Sequence, residues 1–407
     1  MSLTDISGRG LCDCVNLKNK IYGYEKKIEN VVRRIKESSI DDDSKEKILE
    51  FYDELLAQGY SKARILKYLD TLCRIAVMLD KPFVEANKDD IACFVRKIEA
   101  KDYSEWTKHD YKVILKLFYR WLRKTEEYPE EVRWIKPRIK NNNLLPDGLL
   151  TEEEVKGLAE AAGNPRDRAL VLVLYESGCR VGEILSLSIK NVQFDKYGAQ
   201  LIVSGKTGSR RVRIIFSAPR LAQWIENHPL RNDPDAPLWV SLGTRDRNEA
   251  LTYGAAKSVI KDLASKASIR KRIYPHLFRH SRATYLANHL TEAQMKHMFG
   301  WVQSSKMAGT YVHLSGRDVD KPLLKLSGIR SDEDQESEEF QVRFCPRCKT
   351  RNSPDSKFCN SCGLCFDVKS AMQIDEMREK ADRLMTELVK QPEVIDVLIE
   401  ALHKERK

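Results

Sequence analysis

No stretch of the 407 residues approaches the roughly 18 consecutive apolar residues that a membrane span requires. The N-terminus, with Asp5 and Arg9 and no sustained apolar core, does not read as a secretory signal either. The expectation is a cytoplasmic protein with no membrane partner. No internal repeat is apparent. With 42% hydrophobic and 8% aromatic residues the chain is no disordered polymer, and its length has room for roughly two to four domains with ordinary cores. A disulfide framework is excluded by the distribution of the ten cysteines. Five of them, Cys345, Cys348, Cys359, Cys362 and Cys365, crowd into 21 residues, which argues for metal in a reducing compartment. Cys12 and Cys14 form only a Cys-x-Cys pair of little weight.

The formal charge of +10 is uneven. Residues 331–407 hold 13 Lys and Arg against 17 Asp and Glu, whereas residues 1–330 hold 57 against 43, a net of +14. A basic body suits a polyanionic partner, because each neutralised phosphate releases counterions. Charge alone fits a solvated basic surface about as well.

From Asp41 to about Arg138 the pattern is one of successive amphipathic helices without a convincing strand. One runs from Asp43 or Ser44 to Gly59, with Ile48, Phe51, Tyr52, Leu55 and Leu56 in an apolar stripe. A second begins near Ser61 and carries Ile65, Tyr68, Leu69, Leu72 and Ile75. The segment Ser104 to Lys124 interleaves Trp106, Tyr111, Phe118, Tyr119 and Trp121 with Lys108, Lys112, Lys116, Arg120, Arg123 and Lys124. Such a segment suits a grip on a DNA backbone, although half or more of its aromatics read better as plain core.

The polar, Pro-bearing stretch KPRIKNNNLLPDG marks a linker, and Thr151 with Glu154 then starts a helix as a capping box. Ala199–Ser204 and Arg211–Ile215, flanking Gly205-Lys206-Thr207-Gly208-Ser209, predict a β-hairpin. The acidic run SDEDQESEE is a second linker. In the tail, Ile374, Met377, Ala381, Leu384 and Leu388 alternate spacings of three and four over about two heptads, fewer than a coiled coil usually needs. Cys345-Pro-Arg-Cys348 and Cys359-Asn-Ser-Cys362 are two Cys-x-x-Cys knuckles at a spacing that brings four thiolates around one zinc ion, with Cys365 as a spare. Pro346, Phe358 and Gly363 suit knuckle turns and a minimal core. So small a module does not fold on burial alone, which makes structural Zn2+ the expectation.

Arg180, Lys206, His276, Arg279, Trp301 and Tyr311, each unremarkable singly, occur in an order and with local motifs that resemble the tyrosine recombinase (phage integrase) family. The motifs are GCRVGEILSL around Arg180, PHLFRHSRAT around His276 and Arg279, and MFGW followed by TYVHL around Trp301 and Tyr311. The resemblance covers roughly residues 40–330 and is strongest over 170–315. The run WVQSSK to TYVHLSGRDVDKPLL, with the appended ribbon, looks like archaeal integrase or Xer-type proteins.

The resemblance implies a mainly α fold with a small β component. Its parts are an N-terminal extension (1–40), a helical SAM-like core-binding domain (41–138), a linker (139–148), an α+β catalytic domain (149–330), an acidic linker (331–340), a zinc ribbon (341–367) and a helical tail (368–407). The two main domains close on opposite faces of duplex DNA. Tyr311 attacks the phosphate, leaving a 3′-phosphotyrosine and a 5′-hydroxyl, with no cofactor for the cleavage step. Integration, excision or resolution follows from a homo-tetramer on paired sites, monomeric or weakly associated off DNA.

The chemistry fits these residue types. Attack on a phosphodiester builds charge on the non-bridging oxygens, and the guanidinium forks of Arg180 and Arg279 match it. A tyrosine of pKa about 10 needs a proton acceptor, and His276 is the candidate, or else a phosphate hydrogen-bond donor. Lys206 in the hairpin suits the acid that protonates the leaving oxygen. Trp301 either donates its indole N–H to the phosphate or packs against the pocket. Glu183 supports Arg180. His280 and His313 flank the motifs, and His280, adjoining Arg279, is the stronger of the two. Thr310 and Tyr285 are weak alternatives to Tyr311. Trp301 and Tyr311 lie ten residues apart, one more than the familiar pattern, which opens the question of how the tyrosine is presented. The segment after it, ending in KPLLKLSGI, suits docking on a neighbouring subunit or packing in cis. Alternatives are a type IB topoisomerase working on one duplex, and a catalytically silent DNA-binding protein.

Overall fold

Residues 21–139, 148–205, 207–314, 342–353, 356–366, 368–388 and 390 are described by a computed structural model. Lys206, Cys12 and Cys14, residues 140–147 of the first linker, and the stretch 315–341 lie outside the described residues. Among the described residues no helix is long and apolar enough to cross a membrane.

The apolar stripes of the N-terminal half become one helical core. It is built from α1 (Tyr24–Glu37), α2 (Asp42–Ala57), α3 (Lys62–Leu79), α4 (Lys88–Ala100), α5 (Glu105–Leu122) and the short α6 (Glu130–Arg133). The boundary expected at Asp41 is too late for this core. Ile28, Val31 and Ile35 of α1, at spacings of three and four, are buried in it. Asp41 caps α2 by accepting the Ser44 N–H at 2.7 Å, so that helix begins a residue or two before the sequence pattern indicates. Ile48, Phe51 and Leu55 of the expected stripe are buried, while Leu56 points to solvent.

The basic–aromatic segment resolves mostly into core. Tyr111, Phe118 and Tyr119 are buried, and only Trp106 among its aromatics is largely exposed. Its cations are largely engaged within the domain. Lys112 pairs with Glu99, Arg123 with Glu131 at 3.0 Å, and Lys116 donates to the Ile135 carbonyl at 2.8 Å while lying over the Tyr128 ring. Alternation of aromatics and cations on one helix therefore reflects two faces, one packed and one ion-paired.

The second compact unit opens with α7 (Glu152–Glu160), whose capping box forms as expected: Thr151 Oγ1 accepts the Glu154 N–H and the Glu154 carboxylate accepts the Thr151 N–H at 2.8 Å. Helix α8 (Pro165–Ser177) is buried on every side, the signature of a central helix. It ends at Gly178, whose φ of 55° turns the chain into Arg180 and the short α9 (Val181–Leu185). The hairpin is real and tighter than expected: β2 (Gly198–Gly205) pairs with β3 (Gly208–Ile214) down to Gly205 opposite Gly208. A further strand, β1 (Val192–Asp195), pairs with β2. Being short and mostly exposed, it has no apolar run to announce it.

The buried carboxylate of Glu176 accepts the N–H groups of Ile215, Phe216 and Ser217, fixing the exit of β3 against α8. Helices α10 (Ala218–Glu226), α11 (Tyr253–Lys266), α12 (Pro275–Ala287), α13 (Glu292–Phe299) and α14 (Met307–Leu314) follow. The cysteine module holds a two-stranded ribbon, β4 (Arg343–Phe344) with β5 (Arg351–Asn352), and helix α15 (Val368–Leu388) comes after it. Met377, Leu384 and Leu388 of the heptad seam face solvent; the side chain of Ile374 lies outside the described residues.

Candidate active site

Five of the six residues singled out in sequence can be located, and the structure gathers them. Arg180, His276, Arg279, Trp301 and Tyr311 line one pocket of about 330 Å³, together with Thr207, Gly300, Val302, Ser305 and Met307. The sixth, Lys206, lies outside the described residues. Three local devices bring them there. Gly178 turns the end of α8 so that Arg180 follows at the start of α9. Helix α12, entered through Pro275, places Arg279 on its buried face with His276 and His280 three residues before and one after. Gly300, with φ of 61°, stops α13 and sends Trp301 into the pocket.

Arg279 is almost fully buried and donates to the carbonyls of Gly178, at 3.0 Å, and Phe299, at 2.8 Å. Its guanidinium lies over the rings of Phe299 and Trp301. Burial, with Arg180 nearby, lowers its pKa to about 10, so it remains a cation at neutral pH. Arg180 is held otherwise. Its Nη1 donates to Glu183 Oε1 at 3.0 Å, and its backbone N–H to Glu183 Oε2 at 3.1 Å. Glu183 does support Arg180, and it also binds Arg210, a residue sequence reasoning passed over. Burial pushes the Glu183 carboxyl up, but the hydrogen bonds and charge of Arg210 outweigh that, and its pKa is lowered overall.

Tyr311 is buried, and its phenol meets Nδ1 of His280 at 2.7 Å. Burial pushes its pKa up to about 12, against the opposing pull of Arg279. The ring stacks on Trp301, centroids 5.4 Å apart and 9° from parallel, and Trp301 stacks in turn on Phe299 at 5.0 Å. Residues 301–306 form the turn before α14, and Tyr311 faces the pocket from within that helix. His276 stands edge-on to His280, centroids 4.6 Å apart. Desolvation, then His280 and the two arginines, lowers the pKa of His276 to about 4, and desolvation with Arg279 lowers that of His280. Both rings are neutral at pH 7.

The imidazole on the tyrosine is therefore His280, where sequence reasoning gave His276 precedence. The signal was available in the four-residue spacing, which puts both histidines on one helix face. Tyr285 is on the same helix outside the pocket, Thr310 turns back to the Lys306 carbonyl, and the side chain of His313 lies outside the described residues.

Far from this pocket in sequence, the sulfurs of Cys345, Cys348, Cys359 and Cys362 all lie within 4.8 Å of one another and form a group that can bind a metal ion. Zn–S bonds of about 2.3 Å in a tetrahedron imply sulfurs about 3.8 Å apart, so the four fit one ion. The two knuckles repeat one backbone design. Lys349 N–H donates to the Cys345 carbonyl and Gly363 N–H to that of Cys359, each at 2.9 Å and each with positive φ. Cys365 is outside this group, in a bridge with Phe358.

Residues 149–317 match the phage integrase family. Over 239 residues the chain is 33% identical to the tyrosine recombinase XerA of Pyrococcus furiosus, covering 58% of this chain and 78% of the relative. In fold it is similar to the XerH site-specific recombinase bound to palindromic difH substrate, with TM-score 0.54, 19% identity, and 78% and 92% of the two chains covered. It is likewise similar to a lambda integrase dimer bound to a COC′ core site, with TM-score 0.53, 18% identity, and 68% and 79% covered. Identity of this extent across most of a curated relative, on a shared fold, shows that the chain belongs to the tyrosine recombinases: it is a site-specific DNA recombinase that cleaves and rejoins DNA through a 3′-phosphotyrosine intermediate.

Proposed function

We propose that Tyr311 is the nucleophile of this recombinase, that His280 receives its proton, and that Arg180 and Arg279 clamp the scissile phosphate. The observation that carries this reading is the 2.7 Å contact between the Tyr311 phenol and His280 Nδ1, in the pocket that both arginines line. Tyr311 Oη forms a bond to phosphorus as its proton passes to the neutral imidazole. The two guanidiniums neutralise the non-bridging oxygens, and His276 donates a hydrogen bond to one of them. The P–O5′ bond breaks, and Lys206 supplies the proton that makes the 5′-hydroxyl. Trp301 holds the tyrosine ring by stacking. Attack by a 5′-hydroxyl on the phosphotyrosine reverses these steps, so rejoining needs no external energy source.

The partner in this reading is duplex DNA, supported by the net charge of +14 over residues 1–330. Two modules grip it: the helical core-binding domain, α1 included, and the catalytic domain that ends near residue 330. Four protomers assemble on paired sites, separating to monomers or weak associations off DNA, in a cytoplasmic, nucleoid-associated setting. The lambda integrase to which the fold is similar is a dimer on its core site. Cys345, Cys348, Cys359 and Cys362 hold a structural Zn2+ that folds the ribbon, and the chain is an archaeal integrase or Xer-like recombinase carrying that module.

A suicide substrate nicked opposite the cleavage site tests the nucleophile. Wild type gives a covalent protein–DNA adduct and Tyr311→Phe gives none; an adduct that survives Tyr311→Phe refutes the assignment.

A further inference from the structure

Arg210 in β3 bonds to both sides of the active site without lining the pocket. In strand alternation it falls in phase with Val212 and Ile214, the core-facing residues, and its side chain is almost wholly buried. A buried guanidinium persists only where its donors are answered. Here Nη1 donates to Glu183 Oε1 at 3.2 Å, Nη2 to Glu183 Oε2 at 2.7 Å, and Nε to the Met298 carbonyl at 2.9 Å. The first pair is a bidentate fork on the carboxylate that holds Arg180. The third bond fastens the end of α13, two residues before Gly300. A Cβ on Gly300 would come within 2.6 Å of Arg210 Nη1, so that turn is packed directly on this guanidinium. A Cβ on Gly205 would meet Glu183 Oε1 at 2.4 Å, so the hairpin backbone closes on the same carboxylate.

We propose that Arg210 is a positioning residue for DNA cleavage, acting through Glu183 on Arg180 and through the end of α13 on Gly300 and Trp301. Two effects follow from the geometry. The fork fixes both carboxylate oxygens, and with them the one on which the Arg180 guanidinium rests. It also divides the charge of Glu183 between two arginines. Without Arg210, Glu183 becomes a private counter-ion of Arg180, and the phosphate must then compete with a full carboxylate for that cation. Arg210 thereby keeps Arg180 electrostatically available, and lysine, a point charge without a fork, does not replace it.

This proposal rests on Arg180 clamping the phosphate, and the test separates the two. Single-turnover adduct formation is measured on two nicked substrates, one with the natural scissile phosphodiester and one with a methylphosphonate there, which has lost a negatively charged oxygen and with it much of the need for a cation. Arg210→Lys is expected to slow cleavage of the phosphodiester by about 10²-fold, the scale of a misplaced catalytic group, with DNA affinity unchanged. Most of that deficit disappears on the methylphosphonate, as it does for Arg180→Ala. Equal deficits on both substrates for Arg210→Lys, while Arg180→Ala discriminates between them, overturn the proposal, as does a phosphodiester rate equal to wild type. If Arg180→Ala itself does not discriminate, the clamp reading fails instead. Arg210→Gln is the second variant; should it unfold, Arg210→Lys, which keeps the charge and most of the length, carries the test.

Discussion

Replacing His280 by asparagine tests how the buried tyrosine loses its proton. In the resting site the Tyr311 pKa stands at about 12. Two units above the ordinary value corresponds to about 3 kcal/mol against ionisation, and at pH 7 the tyrosinate amounts to roughly one part in 10⁵. Were cleavage to wait for that species, its rate would climb tenfold per pH unit through neutrality. In the proposed mechanism the neutral imidazole, in contact at 2.7 Å, takes the proton as attack proceeds. Because the His280 pKa is lowered from 6.5, the acceptor is already neutral at pH 7. The wild-type rate of adduct formation on a nicked suicide substrate should therefore be flat between pH 7 and 9, falling only in acid, at a midpoint below 6.5. His280→Asn should lose about 10²- to 10⁴-fold at pH 7, the usual range for a general base, and gain the tenfold-per-unit rise that wild type lacks. A wild-type profile that itself rises tenfold per unit, or a variant whose rate and profile match wild type, refutes the role of His280.

Two further predictions concern folding. Gly178→Ala places a side chain where φ is 55° and its Cβ 2.5 Å from Phe299 Cε1. The left-handed conformation and the overlap together cost about 2–4 kcal/mol, so the thermal midpoint should fall by roughly 5–15 °C, and a midpoint within a degree of wild type contradicts the packing described. Chelation of the full-length protein should strip about one zinc per chain and open the ribbon to protease between residues 342 and 366, while adduct formation continues at the pocket, to which no cysteine of the group contributes. Full zinc content in a Cys345→Ser, Cys359→Ser double variant would remove these residues as ligands.

The chemistry-bearing residues were legible because order and local motif survive in a linear sequence. Arg180, His276, Arg279, Trp301 and Tyr311 stand out by order and motif, and all five line one pocket. The capping box at Thr151, the hairpin and the four clustered cysteines were equally readable, since each is set by residues close in sequence. Apolar periodicity gave the helices α2, α3 and α5, and missed the contribution of α1 to their core only because that segment stood apart from the motifs.

What sequence could not decide was which groups touch. His276 and His280 share one helix face, and only the approach of α14 to α12 puts the phenol on the second of them. Arg210 looked like one cation among three in a strand until the packing of β3 against α9 and the end of α13 gave it Glu183 and Met298 as partners. Its neighbour Arg213 instead pairs with Asp195 at the surface. Residue type and spacing are local quantities, and they determined the family, the reaction and the candidate side chains. Desolvation and hydrogen-bond partnership depend on segments far apart in the chain, so the raised pKa of Tyr311, the neutrality of the two histidines and the sharing of Glu183 between two arginines were decided only by the tertiary structure.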